Sequence, residues 1–121
     1  MTLKEALDIK PGEIISLVGG GGKTTLMFAL ARELASTGNG IITTTTTKIL
    51  EPSLSETSLL LLETDESEMI RLILQNLDRY CHITIATNRL ATGKLRGISP
   101  ELVVKLAELN QISYILSLIH I

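Results

Sequence analysis

Gly19-Gly20-Gly21-Gly22-Lys23-Thr24-Thr25 joins two runs of opposite character. Before it stands Glu13-Ile14-Ile15-Ser16-Leu17-Val18, apolar and strand-like. After it comes Leu26-Met27-Phe28-Ala29-Leu30-Ala31-Arg32-Glu33-Leu34-Ala35, rich in helix formers. Strand, glycine loop, Lys-Thr and helix in this order make a phosphate cradle. Glycines let the backbone turn with positive φ, so several N–H groups can point into one concavity. The helix N-terminus adds unpaired N–H groups and the positive end of the helix dipole. The strict pattern G-x-x-x-x-G-K-[ST] needs glycine at position 17, where Leu17 stands, so this loop is a variant with its Gly22-Lys23-Thr24 end intact. The plain alternative is a tight turn joining strand to helix. Four consecutive glycines argue against it, since each loses more backbone freedom on folding than a residue with a side chain.

The bulk of the sequence fits one domain of 121 residues. The hydrophobic share is 45 % but the aromatic share only 2 %, so the core must be aliphatic. A formal net charge of −2 argues against a general grip on nucleic acid. The single cysteine, Cys81, excludes an internal disulfide and fits a reducing compartment. The first residues lack an apolar signal region, and no apolar run approaches the roughly 20 residues that span a bilayer. The expectation is a cytoplasmic protein without a membrane partner.

Along the chain, Thr2 to Leu7 predicts a short helix and Lys10-Pro11-Gly12 a turn. Glu13 to Val18 predicts a strand covered on both faces, followed by a helix from Thr24 to about Ser36 that Gly38 ends in the left-handed region. Ile41 to Thr45 and Ser58 to Leu62 predict the second and third strands. A helix from about Glu66 to Arg79 follows, with Met69, Ile70, Ile73, Leu74 and Leu77 on one face. His82 to Thr87 predicts the fourth strand, and Asn88 to Gly97 a polar loop. Ser99-Pro100-Glu101 opens a helix with an N-cap, a proline in its first turn and an acid at its positive end. Ile112 to Leu116 predicts the fifth strand. Strands alternating with helices imply a parallel sheet with helices on both faces, whose ligands sit beyond the strand C-termini. The apolar tail, Ser117 to Ile121, reads as a bare edge, and from it we expect a chain that stops inside its natural domain.

Three segments should therefore meet at one edge. Lys23 would neutralise charge between the outer phosphates, a catalytic role, and Thr24 would place its hydroxyl on Mg²⁺. Gly19, Gly20, Gly21 and Gly22 would supply backbone donors; Thr25 either helps hold the phosphates or caps the helix. Thr46, Thr47 and Lys48 project past the second strand. They either contact Mg²⁺ (Thr46) and the outer phosphate (Thr47, Lys48) or simply end a β-branched run; Thr43 to Thr45 read as half-buried sheet. Lys94 and Arg96 either clamp phosphate or form a solvated basic loop. Cys81 reads as a small buried residue, because one Cys and the adjacent His82 do not complete a metal site. Glu63, Asp65 and Glu66 read as a helix start.

The segments Leu17 to Met27, the threonine run with Lys48, and Gly93-Lys94-Leu95-Arg96-Gly97-Ile98 together resemble the YqeC family. The likeness extends nearly to Ile115-Leu116. It implies a P-loop NTPase-like α/β/α domain over residues 1–121 that binds ATP or GTP with Mg²⁺. It also implies a place in selenium cofactor biosynthesis, or as accessory to a selenium-dependent molybdenum hydroxylase, with that enzyme or a selenium-delivery protein as partner. More distantly the loop is similar to P-loop GTPases and ATPases that mature metal cofactors; their variant with an early lysine needs it at position 18, where Val18 stands. The family continues from its Tyr-Ile-Leu run into an acidic segment. Here Tyr114-Ile115-Leu116 runs into Ser117-Leu118-Ile119, without a carboxylate to organise Mg²⁺ and water. Two further functions stay open on the same fold: a small-molecule kinase or other phosphoryl or nucleotidyl transferase, and a module that binds nucleotide without hydrolysing it. No base-recognition motif chooses among ATP, GTP and CTP.

Overall fold

The computed structural model describes residues 5, 10, 12–18 and 22–119. The helix expected over 2–7 lies outside them, save Glu5, which is helical, and so do Pro11 and Gly19 to Gly21. Five strands form one parallel sheet: β1 (Ile14–Val18), β2 (Ile41–Thr45), β4 (Leu59–Leu62), β5 (His82–Ala86) and β8 (Tyr114–Ile119). Their spatial order is β1-β8-β2-β5-β4. With the helices packed against it, the chain is an α/β protein.

Side-chain alternation along the central strands separates two cores. Ile41, Tyr114, Leu116 and Leu118 pack with Met27, Phe28, Leu30, Ala31 and Leu34 of α1 (Lys23–Ala35). Ile42, Ile83, Ile85 and Ile115 point the other way. They pack with Met69 and Ile73 of α2 (Glu66–Asn76) and with Leu102, Val103 and Leu106 of α3 (Pro100–Ala107). The period-2 pattern of the strands thus feeds helices on opposite faces.

The helix ends follow local chemistry. Asp65 caps α2, its carboxylate accepting the Glu68 N–H at 2.9 Å. Ser99 caps α3, its hydroxyl accepting the Leu102 N–H at 3.1 Å, with Pro100 in the first turn. Gly38, at φ 84°, closes the turn after α1. The second helix is shorter than expected: Asn76 is its last residue, and the Asn76 carbonyl accepts from both Arg79 and Tyr80 N–H in the turn that follows.

Several expectations are corrected. β1 is an edge strand, covered on the α1 face only among the described residues, with Ile14 and Val18 about 40 % exposed. Residues 43–45 are fully buried, not half-buried, because β2 runs through the middle of the sheet. Each hydroxyl is satisfied across strands: Thr43 by His82 and Thr84 at 2.8 Å, Thr44 by the Ile85 carbonyl at 2.7 Å, Thr45 by the Leu118 carbonyl at 2.6 Å. The fifth strand begins later than expected and runs through Ile119. It lies between β1 and β2, so Ser117 and Leu118 are buried rather than a bare edge. Cys81 is exposed, one residue before its strand begins.

The polar stretch after β5 is not a loop. Asn88–Arg89 (β6) and Lys94–Arg96 (β7) form a hairpin turned by Gly93 at φ 85°, and β7 also pairs with Lys48–Leu50 (β3). The result is a small antiparallel sheet, β3-β7-β6. Its buried apolar contribution is one residue each from β3 and β7: Ile49 and Leu95 lie between exposed neighbours.

Candidate functional site

The parallel strands all point their C-termini to one edge, and the expected site segments leave from it. Gly22 sits in the left-handed region, φ 88° and ψ −13°, as the N-cap of α1. Among the described residues no side chain caps this helix, and its first turn carries no acidic residue, which leaves its positive end suited to an anion. The first helical bond runs from Leu26 N–H to the Gly22 carbonyl at 3.0 Å. Lys23 and Thr24 are half-buried and Thr25 is exposed.

Beyond β2 the chain is tied down by a directed set of hydrogen bonds. The Thr45 hydroxyl donates its one proton to the Leu118 carbonyl. Its oxygen therefore accepts from the Thr47 N–H and from the Thr47 hydroxyl, both at 3.2 Å. Two lone pairs of the exposed Thr47 oxygen are left to face outward. Gly97 then lies against this corner. A Cβ there would stand 2.2 Å from the Thr45 carbonyl oxygen, so only glycine fits. Gly97 N–H donates to the Thr47 carbonyl at 2.7 Å and Ile98 N–H to the Thr45 carbonyl at 2.9 Å. These bonds fasten the small sheet to the edge of the large one.

Two cavities lie here. One, of about 460 Å³, is lined by Thr24, Thr25, Phe28, Lys48, Lys94 and Glu56, with residues 49–51. The other, of about 640 Å³, is lined by Thr46, Thr47, Lys48, Lys94 and Arg96, with residues 97–100. Lys48 and Lys94 border both. The structure thus brings Thr24 and Thr25 together with Lys48 and Lys94, while Arg96, Thr46 and Thr47 fall in the second cavity. Lys23 lines neither; Gly19, Gly20 and Gly21 are outside the described residues.

Sequence reading missed two carboxylates, Glu51 and Glu56, in the cavity beside Thr24. Glu56 accepts from Ser53 N–H at 3.0 Å, and Glu51 pairs with Arg89. Hydrogen bonding to Arg89 holds the Glu51 carboxyl below its ordinary value. Their position depends on the 51–58 loop folding back toward α1, for which no local motif exists. At the end of β8 no carboxylate stands: Leu118 is buried in the α1-side core. Among the described residues no group of three or more His, Cys, Asp or Glu could hold a metal ion.

Fold and edge together define an α/β protein whose parallel sheet carries two cavities, both bordered by Lys48 and Lys94, at its C-terminal edge. The family model described as YqeC protein matches residues 15–119, and the chain belongs to the YqeC family. Comparison with curated proteins and with solved structures finds no match. Among the described residues no helix is long and apolar enough to cross a membrane.

Proposed function

We propose that this edge binds a nucleoside triphosphate, ATP or GTP, together with Mg²⁺. The observation that carries the reading is the uncapped start of α1, Gly22-Lys23-Thr24-Thr25, whose threonines share a cavity with Lys48 and Lys94. Backbone donors and ammonium groups converging on one concavity suit a phosphate chain. Lys23, beside Thr24 at the start of α1, would set its charge against the outer phosphates, and Lys48 and Lys94 would add theirs from the cavity wall.

The described residues offer Mg²⁺ hydroxyls and at most two nearby carboxylates, which suits an ion that enters with the phosphates and keeps several waters. Thr24, with Thr46 as the further candidate, would hold it, and the ion would supply neutralising charge. The resemblance that first suggested this family points to an accessory role in selenium cofactor biosynthesis or in maturing a selenium-dependent molybdenum hydroxylase, with that enzyme or a selenium-delivery protein as partner.

A thermal-shift series with ATP, GTP and CTP, each with Mg²⁺, tests the proposal. Saturating nucleotide raises the melting temperature by several degrees, because a ligand held only by the folded state adds its binding free energy to stability. No shift with any of the three, with no heat on calorimetric titration, would overturn it.

A further inference from the structure

The larger cavity is more than an extension of a phosphate cradle. The β3–β7 register sets Lys48 opposite Arg96 and Leu50 opposite Lys94, so the three cations share one face of the small sheet while Ile49 and Leu95 are buried on the other. Among the described residues no carboxylate lines this cavity. Three exposed cations elsewhere are paired: Arg71 with Glu68, Arg89 with Glu51 and Lys105 with Glu66. Lys94 and Arg96 have no such partner among the described residues. Ser99 is already committed, capping α3 and donating to Glu66 at 3.0 Å, which leaves the cations as the charged groups for an anion. Ile98 and Pro100 give the same cavity an apolar wall, held in place by the Gly97 and Ile98 N–H groups on the Thr47 and Thr45 carbonyls. At about 640 Å³ the space suits a small molecule with an organic body.

We propose that this cavity binds a second ligand, a small organic acid bearing carboxylate or phosphate. Arg96 and Lys94 hold its anionic group, and Ile98 and Pro100 face its body. Because Lys48 and Lys94 border both cavities, this ligand's charged end lies next to the nucleotide's outer phosphates, a placement that rests on the reading above. The nucleotide and the organic acid are then the two ligands of one site.

The test is an amide-resolved NMR titration of the whole chain at constant ionic strength, with citrate in one arm and glycerol 3-phosphate in the other. Saturable shifts at residues 94–99 are expected. Citrate alone assigns a carboxylate, glycerol 3-phosphate alone a phosphate ester, and both a general anion site. Arg96→Gln weakens binding by about tenfold or more and Arg96→Lys recovers part of it, since the contact is charge-assisted and two-pronged. Arg96 is exposed, so an unchanged amide spectrum elsewhere verifies the fold of both variants. Lys23→Ala leaves these titrations as they were while removing nucleotide affinity, which separates the two claims. Absence of saturable shifts at residues 94–99 with both anions, or equal affinity in parent and Arg96→Gln, would overturn the proposal even if ATP binds.

Discussion

Lowering the pH should destabilise this protein through one buried side chain. His82 is 4 % exposed on β5, and burial pushes its pKa down from 6.5 to about 4. Its neighbours fix the proton. Thr84 donates to Thr57, and Thr57 donates to the Leu59 carbonyl. Thr43 must then donate to Thr84, which leaves Thr43 as acceptor for His82, so Nε2 carries the hydrogen. The folded state takes up no proton here until about pH 4, whereas the unfolded chain does so near pH 6.5. Stability is therefore full above pH 6.5 and is lost as the pH falls toward 4. A displacement of this size corresponds to about 3 kcal/mol over the whole window and about 2 kcal/mol between pH 7 and 5. That is a large fraction of the usual margin of about 5–15 kcal/mol. The carboxylates of Glu51, Glu66 and Glu68 have pKa values lowered from 4.5, chiefly by hydrogen bonds to Arg89, Lys105 and Arg71. Their contributions are present above pH 4.5 and lost as pH falls through the lower folded values, beneath the histidine window. Urea unfolding at pH 7, 6 and 5 measures the effect. His82→Gln, which keeps a donor toward Thr43 without titrating, should flatten the profile. Equal slopes in parent and variant, or constant parent stability from pH 7 to 5, would refute the reasoning.

Two substitutions probe how the small sheet is held. Gly97→Ala would press a methyl against backbone atoms of Thr45 that cannot rotate away, and should cost about 3 kcal/mol or more in urea unfolding. Thr45→Val keeps the β-branched shape but leaves the buried Leu118 carbonyl without its donor and frees Thr47. We expect a loss of about 1–3 kcal/mol, read from the shift in urea midpoint at constant slope.

The large sheet was legible because its strands are written in runs of branched apolar residues and its helices in period 3.6, as at Met69 and Ile73 or Ser99-Pro100-Glu101. The small sheet was not. Two- and three-residue strands with one inward side chain each, Ile49 and Leu95, give too short a pattern to separate from a polar loop. Its existence depends on long-range pairing, with Gly97 against Thr45 as the anchor. The threonine run was read as strand, but its full burial depends on β8 entering beside it, a fact of topology rather than of propensity. The same insertion turned Ser117 and Leu118 from an expected bare edge into part of an interior strand. For the site, the approach of Thr24, Thr25, Lys48 and Lys94 followed from the rule that loops after parallel strands share an edge. The division into two cavities, and the presence of Glu56 in one of them, did not.

The central claim is tested most directly by calorimetric titration of ATP and of GTP, with Mg²⁺, into the parent chain and into Lys23→Ala. The account predicts saturable binding of at least one nucleotide to the parent and a loss of most of that affinity in the variant, with the melting temperature of the ligand-free protein unchanged. Equal affinity in the two proteins, or no binding to the parent, would contradict it.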